Sequence, residues 1–102
     1  MTIRGGGLKV QAYQEVFQIP KLAELTVSMN PINDTWLSLT PPREVRRLNL
    51  QNCQMNDETL AALQQWPALE KISIYPFVFS HEAVENFHAA RPSCVLNFGN
   101  EM

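Results

Sequence analysis

The sequence predicts an α/β fold: a right-handed β-α solenoid of about four repeats of 23–24 residues, with a parallel sheet on the inner face and helices outside. Two observations carry this expectation. The segments Leu22-x-x-Leu25-x-Val27, Val45-x-x-Leu48-x-Leu50 and Leu69-x-x-Ile72-x-Ile74 read alike, and a fainter copy puts Ser93, Leu96 and Phe98 in the same slots. Helix-capping and helix-ending residues then recur at matching offsets, with Asn33, Asn56 and Ser80 as N-caps and Pro20, Pro67 and Pro92 at the helix-to-strand turns. Pro41 and Pro42 stand slightly displaced in the 23-residue unit.

The elements follow from one repeat laid on the others. In the unit beginning at Val45, the apolar Val45, Leu48 and Leu50 face one way, while Arg47, Asn49 and Gln51 face the other, as in a half-buried strand. Cys53 and Met55 turn the chain inward, Asn56 caps a helix, and Asp57 and Glu58 occupy its first turn, where negative charge suits the helix dipole. Leu60, Leu63 and Trp66 follow at helical spacing until Pro67.

Alignment of the other segments gives a turn column of Asn30, Cys53 and Phe77. The apolar column holds Leu8, Ile32, Met55 and Phe79. A helix column runs Tyr13, Leu37, Leu60 and Val84, with Val16, Leu63 and Phe87 after it. Ile3 falls in the slot of Leu50 and Ile74, which makes the first residues an edge strand, and Gly5 to Gly7 a turn. The predicted strands lie near 1–4, 24–28, 47–51, 71–75 and 95–98, and the helices near 11–19, 34–40, 57–66 and 81–90. The whole chain, 1–102, reads as a single domain with repeats near 1–21, 22–44, 45–68 and 69–92 and a terminal strand at 93–98.

The run Val45-Arg-Arg-Leu-Asn-Leu-Gln-Asn-Cys53, followed by Met55-Asn-Asp-Glu-Thr-Leu60, resembles the leucine-rich repeat family, and within it the ribonuclease-inhibitor-like, cysteine-containing type. In that family the slot held here by Asn30 and Cys53 hydrogen-bonds the neighbouring turn. The ending Pro92-Ser-Cys-Val-Leu-Asn-Phe98 is similar to the last strand of such arrays. The chain departs from the pattern at Phe77, which lacks a hydrogen-bonding group, and at polar Ser93. The resemblance implies the solenoid fold and protein binding.

Composition narrows the function classes. With 45% hydrophobic residues the chain has material for a core, and its formal net charge of −2 supplies no global field for nucleic acid or anionic lipid. The start lacks the apolar run of a secretory signal, and no apolar stretch approaches membrane-spanning length. A cytoplasmic location is the expectation. Two cysteines are too few for a disulfide framework. His81 and His88 show no metal-ligand spacing and read as solvated, so neither metal nor cofactor is expected. Cys53 falls in a buried turn slot, unlike an activated nucleophile, and no catalytic residue is assigned. Cys94, beside the last strand, is expected to be the more accessible thiol.

The candidate partner-binding residues are those on the inner strand face: Glu24, Thr26, Ser28, Arg47, Asn49, Gln51, Lys71, Ser73 and Tyr75. The face is polar with mixed charge, as befits a reversible protein interface. Within the basic cluster Arg43, Arg46 and Arg47, cross-strand pairing of Arg47 with Glu24 and of Arg46 with Glu70 is the first expectation, and a partner-facing arginine the second. Tyr75 is a candidate aromatic anchor, whereas Trp36 and Trp66 read as core. The expected function is a non-enzymatic module that binds a protein partner. The alternative is a small structural subunit that self-associates or docks through the open ends of its sheet.

Overall fold

A computed structural model describes residues 1–5, 9–32, 35–75 and 79–97. The predicted positions Leu8, Asn33, Phe77 and Phe98 lie outside the described residues, as do two of the three glycines of the first turn. Alternation of apolar and polar residues produces strands β1 (Thr2–Arg4), β2 (Glu24–Ser28), β3 (Arg47–Gln51), β4 (Lys71–Tyr75) and β5 (Val95–Asn97). They form one five-stranded sheet in the order β1-β2-β3-β4-β5, each pair parallel. The connections carry α1 (Val10–Phe17), a 3₁₀ helix (Thr35–Ser38), α2 (Asp57–Leu63) and α3 (His81–Ala90). This is the α/β class and the all-parallel pairing that the sequence predicts.

Register explains where the core sits. Leu25, Leu48, Ile72 and Leu96 stand side by side across the sheet, as do Ile3, Val27, Leu50 and Ile74. These rows pack into one apolar cluster with Tyr13, Phe17, Trp36, Leu60, Leu63, Trp66 and Phe87 from the connecting segments. Each aliphatic side chain so buried contributes about 1.5–3 kcal/mol. Four aromatic rings fill the middle: Tyr13 lies edge-on to Trp36 at 5.6 Å, Phe17 lies edge-on to Trp36 and Trp66 with centroids 5.4 and 5.0 Å away, and the two indoles stack at 5.3 Å.

The turn leaving each of the first three strands repeats the same device. Gly5, Met29 and Asn52 each follow a strand and take φ of 66°, 58° and 55°. Left-handed backbone there turns the chain out of the strand and aims each N–H at the next strand's last carbonyl. Gly5 donates to Ser28 (2.8 Å), Met29 to Gln51 (3.0 Å) and Asn52 to Tyr75 (2.7 Å). Glycine and asparagine tolerate that conformation well, whereas Met29 holds it with strain. Behind these residues, Asn30 Nδ2 donates to the Ser28 carbonyl, and the Cys53 thiol to those of Val27 and Gln51. A second ladder runs where strands begin, with Arg46 N–H on Ala23 O, Glu70 N–H on Arg46 O and Val95 N–H on Glu70 O.

Helix α2 starts as predicted. Asn56 Oδ1 accepts from Thr59 N–H at 3.3 Å, and Thr59 Oγ1 accepts from Asn56 N–H, a reciprocal cap that satisfies two end donors. Asn56→Ala is expected to cost about 1 kcal/mol in urea unfolding, and Gln54→Ala only a few tenths; equal effects at the two positions would remove the cap. Ser80 caps α3 by accepting from Ala83 N–H, and Asp57 at the start of α2 accepts from both Ser80 N–H (3.0 Å) and Ser80 Oγ–H (2.8 Å). These two bonds hold the Asp57 carboxyl below the usual carboxylate range. A depressed folded-state pKa contributes stability above the unfolded value near 3.9, which is lost as pH falls through the folded value. Asp57→Asn should therefore narrow the gap to wild type as the pH of thermal melts falls into the acid range, and a gap constant with pH would contradict this account.

The helices depart from expectation in extent. Those predicted near 11–19 and 57–66 are shorter, ending at Phe17 and Leu63, and Trp66 is buried from the following turn. The segment predicted as a helix at 34–40 supplies only one 3₁₀ turn over Thr35–Ser38. In that turn Leu37 is 49% exposed and Trp36 is buried instead, so the column shifts by one position. The cause is the short 23-residue unit with Pro41 and Pro42, which leaves too little chain for a full α-helix before β3.

Candidate functional site

All nine predicted face residues lie on the side of the sheet away from the helices. Register sets them in three rows: Glu24–Arg47–Lys71, Thr26–Asn49–Ser73 and Ser28–Gln51–Tyr75. The outer strands lengthen the rows, with Val95 beside Lys71, Thr2 and Asn97 at the two ends of the middle row, and Arg4 beside Ser28. These outer residues were missed by sequence reasoning, although the same alternation that named the others reaches them.

The rows differ in chemistry. In the middle row Asn49 Nδ2 donates to Thr26 Oγ1 at 3.1 Å, which orders the centre of the face. In the first row Glu24, Arg47 and Lys71 are exposed and line a shallow depression together with Asn49 and Ser73. The predicted cross-strand pairing does not form: among the described residues neither Glu24–Arg47 nor Arg46–Glu70 makes an ion pair, whereas His81 Nε2 and Glu85 Oε2 on α3 approach to 2.9 Å. Adjacent long side chains on a solvated face gain little from fixing one geometry, so they stay extended into water. In the third row Tyr75 is 45% exposed, while Ser28 is buried at 8% and cannot serve as a contact.

Of the remaining candidates, Arg43 and Arg46 lie outside these rows, Arg43 lining a cleft with Phe17, Ile19, Pro41 and Glu44. His81 and His88 are exposed on α3. Among the described residues no group of three or more His, Cys, Asp or Glu is disposed to hold a metal ion.

Both cysteines are free and buried. Cys94, expected to be the more accessible, is only 3% exposed against 6% for Cys53, because the turn before β5 tucks it under the sheet end. Burial pushes both thiols up from their ordinary value, against the partial offset of backbone donors at Cys53 and of the Arg91 charge at Cys94. A raised pKa leaves little thiolate to react. Alkylation of native protein should thus leave both unmodified until denaturant is added. Mass spectrometry should find no bond between them, since their turns belong to strands two spacings, about 10 Å, apart. Rapid modification of either thiol in folded protein would contradict their placement.

One structural residue escaped the sequence. Arg91, at the end of α3, donates from Nη1 to the carbonyls of Gln64 (3.0 Å) and Trp66 (2.6 Å), and from Nη2 to those of Pro67 and Leu69 (both 3.3 Å). Its charge thereby meets the carbonyl end of α2 rather than that of its own helix. Local spacing carries no signal for a bond reaching one repeat back.

No helix among the described residues is long and apolar enough to cross a membrane. No protein-family model, curated protein or solved structure matches the chain.

Proposed function

We propose that the chain is a solenoid of the leucine-rich repeat type and a non-catalytic module that binds a protein partner through the open strand face. The observation that carries this reading is the charged row Glu24–Arg47–Lys71, exposed on the same strand face as Tyr75 and, among the described residues, without internal ion pairs. Surface of that kind can recognise a partner at small desolvation cost, with an aromatic ring available as an anchor. The repeat type is supported by the 23–24-residue period and by the turn bonds of Asn30 and Cys53. In this reading the chain works in the cytoplasm, without cofactor, nucleic acid or membrane.

Affinity capture from the native cell tests it. Wild type should retain a protein that the Arg47→Glu/Tyr75→Ala variant loses, with variant and wild type melting alike. Equal recovery by the two would refute the face assignment.

A second reading rests on the edges. Strands β1 and β5 end the sheet, and Val95 on β5 is 56% exposed. Unpaired edges invite strand addition, so the chain would dock end to end with a copy of itself or with a larger assembly. Sedimentation that stays monomeric over a wide concentration range would exclude the self-paired form.

A further inference from the structure

We infer that the first row of the open face reads an extended peptide segment of the partner with the pattern basic-x-acidic-x-apolar, its acidic side chain seated between Arg47 and Lys71. This rests on the module reading above and specifies its partner. Arg47 and Lys71 stand directly opposite each other on β3 and β4, and among the described residues neither has an ion pair. Two like charges so placed repel, and a carboxylate between them converts that cost into attraction. Asn49 and Ser73, lining the same depression, supply polar atoms for the visitor's backbone.

The flanks of the row set the rest of the pattern. Glu24 lies beside Arg47 on the side away from Lys71, and exposed Val95 lies beside Lys71 on the other. With strands about 4.8 Å apart, the midpoint of the Arg47–Lys71 pair is about 7 Å from Glu24 and the same from Val95. Residues i and i+2 of an extended chain project to one side about 6.7 Å apart. A segment crossing the strands therefore presents alternate side chains to Glu24, to the cation pair and to Val95 in turn, which asks for a basic, an acidic and an apolar residue in that order.

The experiment is fluorescence anisotropy of the full chain with a labelled peptide, Gly-Ser-Lys-Thr-Glu-Thr-Leu-Ser-Gly, and with a permuted peptide in which Lys and Glu exchange places. The first should bind saturably below about 1 mM, weaken as salt is raised, and lose about tenfold in affinity with the Arg47→Gln/Lys71→Gln variant. The permuted peptide should bind about tenfold more weakly to wild type. Equal binding of the two peptides, undiminished binding by the variant, or no saturable binding by wild type would each overturn the assignment. A protein captured from the cell through Tyr75 but indifferent to Arg47→Gln/Lys71→Gln would overturn it as well, while leaving the module reading in place.

Discussion

Trp66→Ala is expected to lower stability by about 3–5 kcal/mol, enough to leave a chain of this size largely unfolded at 37 °C. The indole is 1% exposed, stacked on Trp36 and edge-on to Phe17. Its removal forfeits the transfer of a large apolar surface and also opens a cavity, because rings held by helices on one side and strands on the other cannot close over the gap. Loss of two aromatic contacts adds about 0.5–1.5 kcal/mol each to the area burial. The readout is the urea midpoint, followed by far-ultraviolet circular dichroism, with exposed Gln65→Ala as the control. A Trp66→Ala midpoint equal to that of the control would mean that the aromatic cluster does not hold the helices to the sheet.

Leu60→Ala comes next, at about 2–5 kcal/mol. Leu60 is fully buried in α2 and belongs to the same cluster as Leu48, Leu50 and Ile72 of the strands. Small domains bury a modest share of their surface and have little stability to spare, so this single truncation should unfold a substantial fraction of molecules under native conditions. If Leu60→Ala melts with wild type, the helical register of the repeat is wrong.

The strands were legible because their signal is doubly redundant: each alternates internally, and each repeats its neighbour. The bounds of β2, β3 and β4 match the predicted 24–28, 47–51 and 71–75. The caps at Asn56 and Ser80 were legible because a capping side chain acts on its own next turn. The 3₁₀ segment was less so, since a column alignment assumes equal repeat lengths and the 23-residue unit breaks that assumption, exposing Leu37 and burying Trp36. Among side-chain contacts from one repeat to the next, the Cys53 bond to the Val27 carbonyl was legible from its turn slot, whereas the others were not. Arg91 on the carbonyls around Trp66, Asp57 on Ser80, and the mutual bonds between Gln14 and Thr40 each join residues more than 20 apart. The side of the strand that each face residue occupies was legible, because a parity rule decides it; the burial of Ser28 and the lack of cross-strand pairing were not, because parity says nothing of neighbours and solvation outweighs a surface ion pair.

The buried polar groups offer a related lesson. Among the described residues, Tyr13 Oη and Trp36 Nε1 lie buried without a hydrogen-bond partner. Burial, with a smaller effect of nearby Cys53, pushes the Tyr13 phenol up to about 12. Both rings belong to the aromatic cluster, where apolar packing outweighs the unsatisfied donors.

The most direct test of the claim that the open strand face is the working surface is a titration of the captured partner against two variants. One is Arg47→Glu/Tyr75→Ala on the strand face; the other is Gln65→Glu/Asn86→Arg, two exposed positions on the helical side. The account predicts that the first variant loses at least about a hundredfold in affinity, near 2.7 kcal/mol, while the second binds as wild type does. Binding weakened by the helical-side variant and untouched by the strand-face variant would contradict it.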